Sequence, residues 1–125
     1  MIALMVEDSA LVRSRLIPML AAFSGVCVVA SVDTTTAALD WLRDNRCDCV
    51  LLDLSLPGGS GVALLDALER GGVDGPPPMR VVLTNGVSDA VRRHCASRGA
   101  AAVFDKSIEL DQLFAFLRRG RCTLH

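Results

Sequence analysis

The chain has 125 residues, of which 51% are hydrophobic and 22% charged, with a formal net charge of −1. That length suits one domain with a real core and is too short for two ordinary ones. The near-neutral charge gives no general pull toward nucleic acid or an anionic membrane, and no apolar run approaches the ~20 residues of a membrane span.

Ile2–Val6 is predicted as a first strand and runs straight into Glu7 and Asp8. The N-terminus carries no basic region and no cleavage site, so a cytoplasmic location without a secretory signal is expected. A helix is expected from about Ala10 to Phe23, with Ser9 or Asp8 able to cap it. Val12, Leu16, Met19, Leu20 and Phe23 recur there at helical spacing, and Pro18 should kink it. Val26–Ser31 is a Val-rich second strand, and Thr34 to Thr36 open a second helix that runs to about Asn45. Cys49–Leu52 is a short apolar run, as in a strand buried on both faces of a parallel sheet, and Asp53 stands where it ends.

After the Gly-rich stretch at 57–61, Ser60 can cap a third helix through about Arg70, with Leu64, Leu65 and Leu68 as its stripe. Gly71–Pro78 is the clearest irregular segment. Arg80–Leu83 is a fourth strand ending at Thr84, and Ser88–Arg98 a fourth helix stopped by Gly99. Ala101–Phe104 is a fifth strand ending in Asp105 and Lys106. Ser107 can cap a last helix to about Arg119, with Leu110, Leu113, Phe114 and Leu117 on one face. The domain is expected over residues 1–119, with a tail at 120–125. Five cysteines, at 27, 47, 49, 95 and 122, show no CxxC spacing and are taken as buried or incidental thiols of a reduced protein.

The alternation is βα five times. It implies an α/β fold: a doubly wound five-stranded parallel sheet, order 2-1-3-4-5, with right-handed crossovers and helices on both faces. A parallel sheet brings its strand ends to one edge. Glu7, Asp8, Asp53, Thr84 and Lys106 therefore converge on one crevice. Three neighbouring carboxylates repel one another unless a cation joins them. Mg²⁺, a hard ion that takes one or two carboxylates and keeps several waters, is the natural candidate. Lys106 suits a phosphoryl oxygen, and Thr84 supplies one hydroxyl donor. Asp53 can then attack a phosphoryl group and form an aspartyl phosphate, a transfer that needs mainly positioning and charge neutralisation. Taken singly, each residue has a plainer explanation: Glu7 and Asp8 as acids favoured at a helix N-terminus, Thr84 as a turn residue, Lys106 as a surface lysine. The combination decides, because every strand but the second ends in a polar group suited to one reaction.

VEDS near the start, LLDLSLPGGSG at the third strand, LTN at the fourth and GAAAVFDKS at the fifth together resemble the receiver domain of two-component response regulators. The resemblance covers nearly the whole chain. Asp8 stands 45 residues before Asp53, Thr84 31 after it, and Lys106 22 after Thr84. It implies a flavodoxin-like receiver fold and a signalling domain rather than an enzyme, beyond its own phosphorylation and dephosphorylation. Asp53 is then the phosphoacceptor, supplied by a histidine kinase or histidine phosphotransfer protein. Glu7 and Asp8 are the acid pair that binds Mg²⁺, with Asp8 a direct ligand alongside Asp53 and the Ser55 backbone carbonyl. Thr84 is the switch hydroxyl and Lys106 the phosphate-pairing lysine.

The family usually has an aromatic residue three before the lysine; here it is Val103, and strand alternation points Phe104 to the opposite face. Asn85 stands where a smaller residue is common. Phe116 lies off its helix's core stripe, either on a partner surface or partly shielded. A stand-alone receiver that signals to a downstream protein is expected, with no output domain. Arg118, Arg119 and Arg121 are taken as helix-end partners rather than a nucleic-acid site, and homodimerisation is left open. The alternative is a receiver-like docking module that does not depend on phosphate. An aspartyl-phosphate hydrolase is disfavoured because Ser55 stands where those enzymes have a second acid. A dinucleotide enzyme is disfavoured because no GxGxxG follows the first strand.

Overall fold

Strand alternation assigns the layers. The computed structural model describes residues 1–56, 59–71 and 77–123, and of residues 59, 60 and 121–123 only the backbone. Its elements are β1 (Ile2–Val6), α1 (Ala10–Ser24), β2 (Cys27–Val32), α2 (Thr35–Asp44), β3 (Cys49–Leu52), α3 (Gly61–Glu69), β4 (Met79–Thr84), α4 (Asp89–Ala96), β5 (Ala102–Asp105) and α5 (Leu110–Thr123). The five strands form one parallel sheet in the order β2-β1-β3-β4-β5, as the βα alternation predicts. Leu4, Val6, Val50, Leu52, Val82 and Val103 face α2, α3 and α4, where they meet Ala38, Leu42, Leu64, Leu65, Leu68 and Cys95. Ala3, Met5, Cys49, Leu51, Val81 and Leu83 face the other way, onto Leu16 and Leu20 of α1 and Leu113, Phe114 and Leu117 of α5. Covered on both faces, β3 carries no polar residue. β2, at the edge, alternates between exposed and half-buried, which leaves Cys27 exposed. Among the described residues no helix is long and apolar enough to cross a membrane.

Several boundaries differ from the sequence reading. Phe23 is 53% exposed, and the buried stripe of α1 runs instead through Leu16, Leu20 and Ser24. Ser24 tolerates that position because its hydroxyl donates to the Leu20 carbonyl, while the Phe23 ring rests on Phe114 at 5.5 Å between centroids. The helix continues through Pro18. The amides of Gly25 and Val26 return to the carbonyls of Ala21 and Leu20, which holds buried Val26 at the helix end and starts β2 one residue later than predicted. α4 stops at Ala96, short of Arg98. α5 starts at Leu110, later than a cap at Ser107 would begin it, and passes through Gly120 to Thr123, so the helix takes in most of the predicted tail. Gly120 lies beside Met1 and Met79, in a helix held by the burial of Leu113, Phe114 and Leu117. The side chain of Ser60, expected as a cap, and residues 72–76 of the predicted irregular segment lie outside the described residues.

Directly after Asp53 the chain forms a short antiparallel ladder, Ser55–Leu56 with Gly59–Ser60, which the sequence pattern does not predict. It returns the chain so that the amide of Gly61 donates to the Leu54 carbonyl at 2.9 Å. A Cβ at residue 61 would stand 2.2 Å from the Asp53 carbonyl oxygen. Glycine is required there by close approach. We expect Gly61→Ala to lower stability by about 1–3 kcal/mol, the usual range for overpacking against backbone. The check is a lower urea midpoint at unchanged slope.

Candidate functional site

The sheet's own ladder positions the polar residues at its edge. Val6 and Leu52 are paired in register, and one step further the Asp53 amide donates to the Val6 carbonyl at 3.1 Å. The Glu7 amide donates to the Val32 carbonyl at 2.9 Å, and the Lys106 amide to the Thr84 carbonyl at 3.0 Å. Glu7, Asp53 and Thr84 are buried, and Asp8 is exposed at the mouth.

The Lys106 ammonium crosses this edge and joins two of the acids. It donates to Asp53 Oδ2 at 2.6 Å and to Glu7 Oε2 at 3.1 Å. Asp53 and Glu7 are each only 4% exposed, and two carboxylates so placed would repel without a cation between them. Burial pulls the Lys106 pKa down, but the hydrogen bonds and charges of Asp53 and Glu7 outweigh it and hold the group above its ordinary value. It is therefore an ammonium at neutral pH. The remaining oxygens are held by backbone: Asp53 Oδ1 accepts the Ser55 amide and Glu7 Oε1 the Ser9 amide, both at 3.1 Å. Ser9 also caps α1, its hydroxyl accepting the Val12 amide at 3.2 Å, so the start of α1 orients Glu7. The Arg13 guanidinium donates to the Glu7 carbonyl.

Glu7, Asp8 and Asp53 each offer a carboxylate oxygen within 4.8 Å of the others. Mg²⁺–oxygen bonds of about 2.0–2.1 Å put opposite ligands roughly 4 Å apart, so the cluster fits such an ion after a small inward adjustment. An all-oxygen donor set suits a hard cation rather than a soft one. The four predicted residues Glu7, Asp8, Asp53 and Lys106 are thus brought together, with Thr84 at the neighbouring strand end. Ser55 meets Asp53 through its amide. Beside Lys106 the mouth opens into a groove of about 380 Å³ lined by Val12, Arg15, Leu16, Asn85 and Leu110.

Val103 is buried on the α2–α4 side of the sheet, opposite Val82 in register. Phe104 lies on the other face with its ring 5.7 Å from that of Phe116. The alternation argument therefore holds, and Phe116 is half-buried against Phe104.

In the sequence, Asp105 stands out only as the neighbour of Lys106 at the end of the fifth strand. It is 7% exposed. Its Oδ1 accepts both the amide and the hydroxyl of Ser107, and its Oδ2 accepts the Gly86 amide at 3.2 Å. The Ser107 hydroxyl, then the Ser107 amide, outweigh burial and hold its carboxyl below the usual range. Arg92 of α4 donates to the Val103 carbonyl and, at 2.6 Å, to Glu109 Oε1. That same Glu109 oxygen accepts the Asp105 amide at 2.9 Å. The spacing Asp-x-Ser just past a strand was an available signal, since Asp side chains commonly take the amide two residues on.

A family model for the response regulator receiver domain matches residues 3–118. Response regulator UvrY of Escherichia coli (strain K12) is 27% identical over 115 residues, 92% of this chain and 51% of that protein. Response regulator GacA of Pseudomonas aeruginosa is 30% identical over 116 residues, 93% and 53% of the two chains. The chain spans about half the length of the curated relatives it matches. Among solved structures, the response regulatory domain of protein mrkE from Klebsiella pneumoniae superposes with a TM-score of 0.81 at 24% identity, covering 95% of this chain and 93% of that one. At that identity the likeness is one of fold.

Proposed function

We propose, from the premise that the chain belongs to the response regulator receiver domain family, that Asp53 accepts a phosphoryl group and that the protein signals through contact with a downstream protein. The observation that carries the reading is the 2.6 Å pairing of Lys106 with a buried Asp53, beside Glu7 and Asp8. In the transfer, a carboxylate oxygen of Asp53 attacks the phosphorus of a phosphohistidine. The new O–P bond forms as the N–P bond breaks, and the leaving imidazole nitrogen keeps the electron pair and takes up a proton from water. Lys106, already an ammonium, pairs with a phosphoryl oxygen, and the Thr84 hydroxyl donates to another. Mg²⁺, held by Glu7, Asp8, Asp53 and the Ser55 carbonyl, would when bound neutralise charge on the phosphoryl oxygens. The donor is a histidine kinase or histidine phosphotransfer protein in the cytoplasm.

The test is incubation with acetyl phosphate, with and without Mg²⁺, followed by intact-mass measurement. One phosphoryl group per chain, dependent on Mg²⁺ and removed by hydroxylamine, is expected. No uptake under any condition would favour the phosphate-independent docking module, for which the packed Val103 is the one supporting observation.

Thr84 continues directly into residues 85–88, the approach to α4, so drawing its hydroxyl toward a phosphoryl group moves that loop. Val103 is short, packed and stiff at χ1, and the response is carried by the loop rather than by this side chain. Thr84→Ala is expected to accept phosphoryl yet to show less than half of the wild-type amide shift changes over residues 85–91. NMR spectra with and without beryllofluoride read this. A static loop with large changes at Val103 in the wild type would contradict it.

A further inference from the structure

We propose that Asp105 and the Arg92–Glu109 pair form a latch that holds the β4–α4 loop and α4 in the resting position, and so sets how readily Asp53 takes its phosphoryl group. The inference rests on the phosphoacceptor reading of Asp53 and adds the regulation of that site.

Asp105 lies opposite Thr84 in the sheet register. One of its oxygens holds Gly86, two residues beyond Thr84, and the other holds Ser107, one residue beyond Lys106. A single buried carboxylate therefore ties together the two loops that carry the residues meant to close on a phosphoryl group. Gly86 has φ of 70°, a backbone conformation that side chains other than glycine rarely adopt. The loop's path at that bond is accordingly specific.

The second tie is to α4 itself. Of its eight residues only Cys95 is fully buried, so few apolar contacts hold it to the sheet. Arg92 supplies what packing does not: it reaches the Val103 carbonyl on β5 and Glu109 at the entrance to α5. Glu109 Oε1 also accepts the Asp105 amide, which joins both ties into one network. Segments with little buried apolar surface are the ones that open at low free energy, and here polar ties decide whether this one does.

The direction follows from the arrangement in which the ties occur. Lys106 is bound to Asp53 and Glu7, which is the site before a phosphoryl group divides them. Drawing Thr84 inward pulls on Gly86, and moving Lys106 pulls on Ser107, and Asp105 resists both. A phosphoryl group must work against the latch, so by linkage a broken latch tightens binding of its analogue.

The experiment titrates the full chain with beryllofluoride and Mg²⁺ and measures amide exchange at Gly86–Val91 without ligand. Asp105→Asn and Arg92→Met should each bind beryllofluoride about threefold to tenfold more tightly, the scale of one or two hydrogen bonds, with faster exchange in that segment. Glu109→Gln, which keeps an acceptor for the Asp105 amide, is the milder variant should Arg92→Met fold poorly. It should show the same two changes at smaller size. Unchanged or weaker beryllofluoride binding in variants that fold would overturn the latch while leaving Asp53 as phosphoacceptor. Absence of binding in the wild type would instead count against the phosphoacceptor reading. Exchange then decides the latch alone, and unchanged protection at Gly86 in Asp105→Asn overturns it.

Discussion

Asp53→Asn is expected to end phosphoryl uptake from acetyl phosphate, while Asp48→Asn and Asp105→Asn still become phosphorylated. An amide is not a nucleophile toward phosphorus under these conditions, so the loss is one of chemistry rather than of affinity. The surroundings of these three aspartates separate them. Asp48 precedes β3 and lies at the opposite edge of the sheet, where its Oδ2 accepts the Ile2 amide at 2.8 Å. Asp105 has its oxygens on Ser107 and Gly86. Asp53 alone faces Lys106 and two further carboxylates. The substitution is nearly isosteric, Lys106 keeps Glu7 as a partner, and the Ser55 amide keeps an acceptor. Fold should therefore survive, and circular dichroism serves as the control. Mapping the label in wild-type protein to a peptide without Asp53, or finding full uptake in Asp53→Asn, would defeat the assignment.

Most of this site was legible because topology does the placing. Once five apolar runs alternate with helical patterns, a parallel sheet puts the ends of β1, β3, β4 and β5 on one edge, and Glu7, Asp53, Thr84 and Lys106 follow from where the runs stop. The two-sided burial of β3 was equally visible in an apolar run four residues long. What escaped the sequence was decided by bonds between distant residues. Helical periodicity favours Phe23 over Ser24 on hydrophobicity, yet Ser24 is the buried one because its hydroxyl has the Leu20 carbonyl to satisfy it. Ser107 looks like a helix cap, but its hydroxyl is taken by Asp105 and α5 begins three residues later. The importance of Asp105 itself depends on Gly86, nineteen residues away in sequence, and no local pattern announces that pairing. Gly61 was visible as one glycine among several, whereas the reason for it is the Asp53 carbonyl.

Asp8→Ala is expected to lower Mg²⁺ affinity by at least about tenfold with the fold intact, because a unit charge near 4 Å interacts with a cation by several kcal/mol even at an effective dielectric constant of about 20. The three carboxylates and Lys106 give the site a formal charge of −2, from three negative groups and one positive. Removing Asp8 halves that charge and takes away the acid at the exposed mouth, where a hydrated ion would enter. The other two acids make poorer tests. Glu7→Ala would strip a partner from Lys106 and an acceptor from the Ser9 amide, and Asp53→Asn changes the phosphoacceptor itself. Asp8 precedes the Ser9 cap, so its loss forgoes little more than a favourable charge near the helix N-terminus, about 0.3–1 kcal/mol. Calorimetric titration with Mg²⁺, set beside a urea midpoint lowered by no more than that small loss, reads the two effects separately. Unaltered Mg²⁺ binding in a folded Asp8→Ala variant would place the ion elsewhere on the molecule.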